Sequence, residues 1–163
     1  MSNPVPTNFK KEIAPLAIIL ACFAASFYFN AHWPDLVASH WNFKGEVDAY
    51  SSKTFNAFFF PGLLAAMYLL FTVLPYFDPK RERYAEFSGV YLIFRTMIIA
   101  VMAVVYFTMG IFNLGYDINV GAIVAGLLVG VVVSMTTLFQ PDLAELSIFA
   151  LMALVLIVRP NGL

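Results

Sequence analysis

Four stretches free of charge, each about as long as a lipid bilayer is thick, constrain this chain more than any other feature. Twenty-two residues separate Glu12 from Asp35, and 24 separate Lys53 from Asp78. Between Arg95 and Asp117 lie 21 residues, and between Asp117 and Asp142 another 24. A helix needs roughly 20 apolar residues to cross a hydrocarbon core of about 30 Å. Inside lipid each backbone N–H must be satisfied without water, so such stretches fold as helices. The spacing predicts spans over about 13–31, 55–77, 88–114 and 118–139. A fifth apolar segment, about 143–158, has 13 uncharged residues between Glu145 and Arg159. That is short for a span, and it reads as a tilted short helix or a half-buried one. The expected fold is an all-α integral membrane bundle of four helices plus this short fifth, as a single domain. Composition agrees: charged residues make up 12% of the chain, against about 25% in soluble domains. A net charge of −1 excludes a nucleic-acid binder built on a cationic face. The single cysteine, Cys22, excludes an intrachain disulfide and a cysteine-based zinc cluster.

Lysines and arginines orient the bundle. Lys10 and Lys11 precede the first span, and Lys80, Arg81 and Arg83 lie between the second and third. Only Lys44 and Lys53 lie between the first and second. The expected placement is the cell (inner) membrane, with a cytoplasmic N-terminus. Residues 32–54 then form an outer cap and residues 78–87 an inner loop. Both tryptophans, Trp33 and Trp41, fall in the outer loop beside Tyr28, Phe29, Phe55 and Phe58–Phe60, as an aromatic belt at a membrane–water boundary does.

The cap is rich in residues that want burial, such as Trp33, Leu36, Val37, Trp41, Val47 and Tyr50, so it is expected to be compact. Pro34-Asp35 has the form of a short helix start. Asn42-Phe43-Lys44-Gly45 reads as a turn, with Gly45 free to take a positive φ. The candidate binding residues of the cap are His40, Trp41, Asn42, Glu46, Asp48 and Lys53. His40, Glu46 and Asp48 are the donor types of a divalent-metal site, but their spacing follows no metal motif. The simpler expectation is that His40 and Asp48 hydrogen-bond within the turn. No cofactor is expected, and no Walker, GxGxxG, HExxH or GxSxG motif occurs. A non-enzymatic role follows; a membrane metalloenzyme would need an ion near His40.

The run Pro34…His40-Trp41-Asn42…Gly45-Glu46-Val47-Asp48…Tyr50…Ser52-Lys53, with Pro61 beyond it, resembles a small bacterial and archaeal membrane domain. That domain, of unknown function, opens the SdpI-like immunity proteins. Asp78-Pro79-Lys80-Arg81-Glu82…Tyr84…Phe87, Tyr91, Arg95 and Gly115-Tyr116-Asp117-Ile118-Asn119 extend the likeness to about residues 10–122. The Asn-Trp-x-Gly-Ile-Arg-Thr segment with which those proteins continue is absent. The ending Arg159-Pro160-Asn161-Gly162-Leu163 is instead similar to the C-terminal end of branched-chain amino-acid ABC permeases. The first resemblance implies protection against a secreted peptide or toxin, with relay to a cytoplasmic partner. The second points to an accessory subunit of a larger membrane or transport complex.

Polar and small residues within the spans complete the reading. Arg95 lies about seven residues into its span, where an ionisable group faces the bundle or a water pocket or snorkels to the inner headgroups with a structural salt bridge; Asp78, Glu82 and Glu86 are its candidate partners, Glu86 facing away in a continuous helix. Asp117 is placed to cap the fourth helix or to join His40 and Asp48. Ala122, Gly126, Gly130 and Ser134 recur every four residues, a stripe that admits another helix at close range. It suits internal packing or a homo-oligomer. Membrane lipid is the expected surrounding, and no nucleic-acid partner is expected.

Overall fold

A computed structural model describes residues 4–42, 44–140, 143, 146, 148–150 and 153. The elements follow in order: helix α1 (Phe9–His32), strands β1 (Leu36–Trp41) and β2 (Val47–Ser52), and helix α2 (Lys53–Phe77). After them come a 3-10 helix (Arg81–Ala85), helix α3 (Ser88–Asn113) and helix α4 (Val120–Phe139). All four α-helices are long and apolar enough to cross a membrane, at the expected places. Most of the expected fifth helix, 143–158, lies outside the described residues.

Side chains that bond backbone at each start set the helix boundaries. Asn8 accepts from the Lys11 N–H at 3.1 Å, Ser52 from Phe55 and Asn119 from Ala122. Asn119, and not Asp117, therefore caps α4. Asp117 is exposed; an amide oxygen two positions nearer the helix has the reach that the carboxylate lacks. Asp78 follows α2 and opens the inner loop. Its carboxylate accepts from Lys80 N–H at 2.8 Å and turns the chain into the 3-10 helix. α3 itself begins at Phe87 with no side-chain cap.

The three helices α1, α2 and α3 share a core of Ile19, Cys22, Phe29, Ala57, Leu64, Ile99, Ala103 and Tyr106. Lipid is as apolar as leucine, so shape and hydrogen bonds, more than hydrophobicity, hold such helices together. Both are present. Tyr106 is fully buried and donates to the Ala57 carbonyl at 2.9 Å. Tyr91 donates to Phe71 carbonyl at 2.6 Å. Phe29 stacks on Trp33 and meets Tyr106 edge-on. Gly110 is required here, because a Cβ on it would overlap the Phe29 ring. Among the described residues α4 packs chiefly against α3, and 6% of its apolar window is buried.

The short helix expected at Pro34-Asp35 does not form. Leu36–Trp41 pairs antiparallel with Val47–Ser52. A six-residue helix has too few internal hydrogen bonds to offset its nucleation, whereas this strand gains a partner across a tight turn. The turn is the expected one. Asn42 oxygen accepts from Lys44 and Glu46 N–H at 2.8 and 3.0 Å, and Gly45 takes φ 80°. The compact cap is thus a two-stranded hairpin at one end of a helical bundle.

Candidate functional site: a docked hairpin and a buried ion pair

The hairpin is bolted to the bundle by side chains that replace missing backbone partners. The Asn113 amide, at the end of α3, accepts from Ala38 N–H at 2.8 Å and donates to Ala38 carbonyl at 3.0 Å. One side chain thereby closes the outer edge of β1 as a neighbouring strand would. Trp33 Nε1 donates to Gly110 carbonyl at 3.1 Å, buried. Trp41 meets Phe112 edge-on. Asn56, near the start of α2, donates to Ser51 hydroxyl and Ser52 carbonyl. At the hairpin tip Gly45 lies against Gly121 of α4.

The six cap residues singled out in the sequence do not converge on one point. His40 Nδ1 and Asp48 Oδ1 pair across the strands at 2.5 Å. Asn42 donates to Glu46 at 3.0 Å. Lys53 pairs with Asp35 at 2.9 Å at the root of the hairpin. The hydrogen bond from Lys53 holds the Asp35 carboxyl below the ordinary aspartate range. Trp41 is half-buried, and its Nε1 has no partner among the described residues. Glu46 turns to the turn amide and not to His40, and among the described residues no three His, Cys, Asp or Glu side chains gather as a metal set. Asp117 joins neither His40 nor Asp48.

At the opposite end, Arg95 is 3% exposed. Its partner is Glu12 of α1, at 2.6 Å, and not Asp78, Glu82 or Glu86. Asp78 serves Lys80 N–H and the Tyr84 hydroxyl instead, which hold its carboxyl below the ordinary range. Glu12 accepts three hydrogen bonds, from Arg95, from Tyr68 at 2.8 Å and from Thr7 at 2.6 Å. Arg95 also donates to Thr72 at 3.2 Å and lies 4.9 Å over the Tyr68 ring. Its Nε has no partner among the described residues. Beside it is a cavity of about 30 Å³ lined by Thr7, Glu12, Thr72, Tyr91 and Arg95, with Val5 closing one side. That volume is room for about one water.

Sequence reasoning missed Glu12, Tyr68 and Asn113. Glu12 was legible as the last charge before a span, and Asn113 as an amide ending one. Gly126 and Gly130 stand where the stripe put them, facing a groove of about 420 Å³ between α3 and α4. A Cβ at either would meet nothing within 4 Å.

A family model described as a domain of unknown function (DUF1648) matches residues 17–65, and that domain is found in SdpI-like membrane proteins. The match runs from α1 through the hairpin into α2, and stops before the inner loop and the Gly115–Asn119 segment. No curated protein and no solved structure matches the chain. The chain therefore shares with known proteins a DUF1648 stretch centred on its hairpin, set in a bundle of four helices able to cross a membrane.

Proposed function

We propose that this multi-pass protein binds or senses an extracytoplasmic peptide at its hairpin and relays occupancy to a cytoplasmic partner through the loop at 78–87. The observation that carries this is the hairpin itself. It is fixed to α3 by Asn113 and to α2 by Asn56, with Trp33 at its root bonded to α3, yet leaves His40, Glu46, Asp48 and Tyr50 exposed. Recognition by a fixed scaffold with exposed polar groups suits binding, since little ordering is left to be done when a ligand arrives. The distribution of Lys and Arg supports an outer hairpin, and the DUF1648 match supports the SdpI-like reading over residues 17–65. The role proposed is binding, with His40 held by Asp48 across the strands.

The groove between α3 and α4, with Gly126, Gly130 and Ser134 on its wall, favours a second reading, an accessory subunit of a larger membrane complex. One experiment separates the two. The native protein is purified in mild detergent from its own membrane, and what remains bound is identified by mass spectrometry. A lone protein, a secreted peptide or a soluble regulator supports the peptide reading. A stoichiometric set of membrane subunits overturns it.

A further inference from the structure

The hairpin has two outer edges: Asn113 closes that of β1 at Ala38, and Asn56 takes one group of that of β2 at Ser52. The phase of the ladder says which backbone groups face outward. In an antiparallel pair, opposed residues alternate between those that exchange hydrogen bonds and those that do not. Lys53 N–H donates to Asp35 carbonyl at 3.0 Å, so that pair exchanges bonds. Counting along the register, Leu36–Ser52 does not, Val37–Ser51 does, and Ala38–Tyr50 does not. The Ala38 groups confirm the count, since both point away from β2 and are taken by Asn113. Across the hairpin, the N–H and C=O of Tyr50 must therefore point away from β1. So must those of Ser52, whose carbonyl is taken by Asn56. Tyr50 is 63% exposed, and no residue among those described bonds its outward N–H and C=O.

We propose that β2 receives an extended basic peptide as a third strand, hydrogen-bonded through both backbone groups of Tyr50. This rests on the reading of the hairpin end as the peptide-binding end. An outward donor and acceptor on one residue of an exposed strand is the template for strand addition. The opposite edge already shows the geometry satisfied, there by a side-chain amide. Basic character follows from charge: Glu46, which accepts from the neutral Asn42 amide, and Asp48, which pairs with His40, are both exposed on or beside β2, and an added strand passes them.

The test uses the full chain in lipid nanodiscs and a random dodecapeptide library displayed on phage, counter-selected on empty nanodiscs. Enriched peptides are synthesised and their affinities measured on wild type, Tyr50→Pro and Tyr50→Ala. Proline at position 50 removes an N–H that the hairpin does not use, so pairing with β1 persists. The expected result is peptides enriched in Lys or Arg that lose about tenfold or more in affinity on Tyr50→Pro and much less on Tyr50→Ala. Should Tyr50→Pro fail to fold, as judged by its melting temperature, N-methylation of the peptide at alternate residues on wild-type protein gives the same answer: one phase of methylation abolishes binding and the other is tolerated. Peptides that bind Tyr50→Pro as tightly as wild type, or bind with every amide methylated, overturn strand addition and leave the peptide reading standing. Peptides without basic residues overturn the charge argument. A library that yields nothing overturns both the strand and the peptide reading. A dimer that Tyr50→Pro converts to monomer gives the edge to a second copy and overturns the proposal.

Discussion

At the scale of single residues, Arg95 decides most. A guanidinium at this depth is tolerated because Glu12, Thr72 and the Tyr68 ring surround it. Such a pair adds little over a well-packed apolar pair, but removing one member strands the other charge, at about 3–5 kcal/mol. Glu12→Gln is therefore expected to destabilise by roughly that amount. The double variant Glu12→Leu/Arg95→Met recovers most of it, read as a double-mutant cycle of unfolding free energies in micelles. The exposed pair at the hairpin root behaves differently. Asp35 has a lowered folded pKa, so its contribution is present above the ordinary aspartate value of about 3.9 and is lost as pH falls through the lowered one. Lys53→Met removes the cause. Carboxyl NMR titration of Asp35 is expected to show its pKa rising toward the ordinary value in that variant.

At the scale of elements, the hairpin depends on a side chain from another helix. Asn113→Ala leaves the Ala38 N–H and C=O without a partner, at about 1–3 kcal/mol for a buried group. Amide exchange is expected to accelerate at Val37 and Ser51 while the middle of α1 and α3 is unchanged; uniform acceleration would mean that the amide supports the bundle and not the hairpin. The helices were legible in the sequence because lipid permits an apolar run of that length one conformation. The Asn42–Gly45 turn was legible because few residues accept φ 80°. The strands were not. Pro34-Asp35 carries a helix-start signal, and Leu36–Trp41 becomes a strand only because Val47–Ser52 and Asn113 meet it in space. Arg95 was legible as a buried charge, but its partner lies 83 positions away. Proximity in sequence favoured Glu82 and Glu86, which are exposed in and just after the 3-10 helix.

At the scale of the whole molecule, α1, α2 and α3 form the packed unit and α4 is its loosest member. On denaturant titration α4 is expected to lose exchange protection before the other three helices, in keeping with its small buried share. Simultaneous loss would show that the α3–α4 contact is stronger than its groove suggests. The packed unit has a further property. α1 and α3 run in the same direction and are joined near both ends, Glu12 to Arg95 and Trp33 to Gly110. Two parallel struts fastened top and bottom cannot slide past each other, so a piston stroke between them is forbidden unless a fastening breaks. α2 is fastened to the same frame at Ala57, Tyr68, Phe71 and Thr72, so the freedom left is that of α4, which the hairpin tip touches at Gly121. Gly45 is thus where the fastened part of the molecule meets its one loosely held strut.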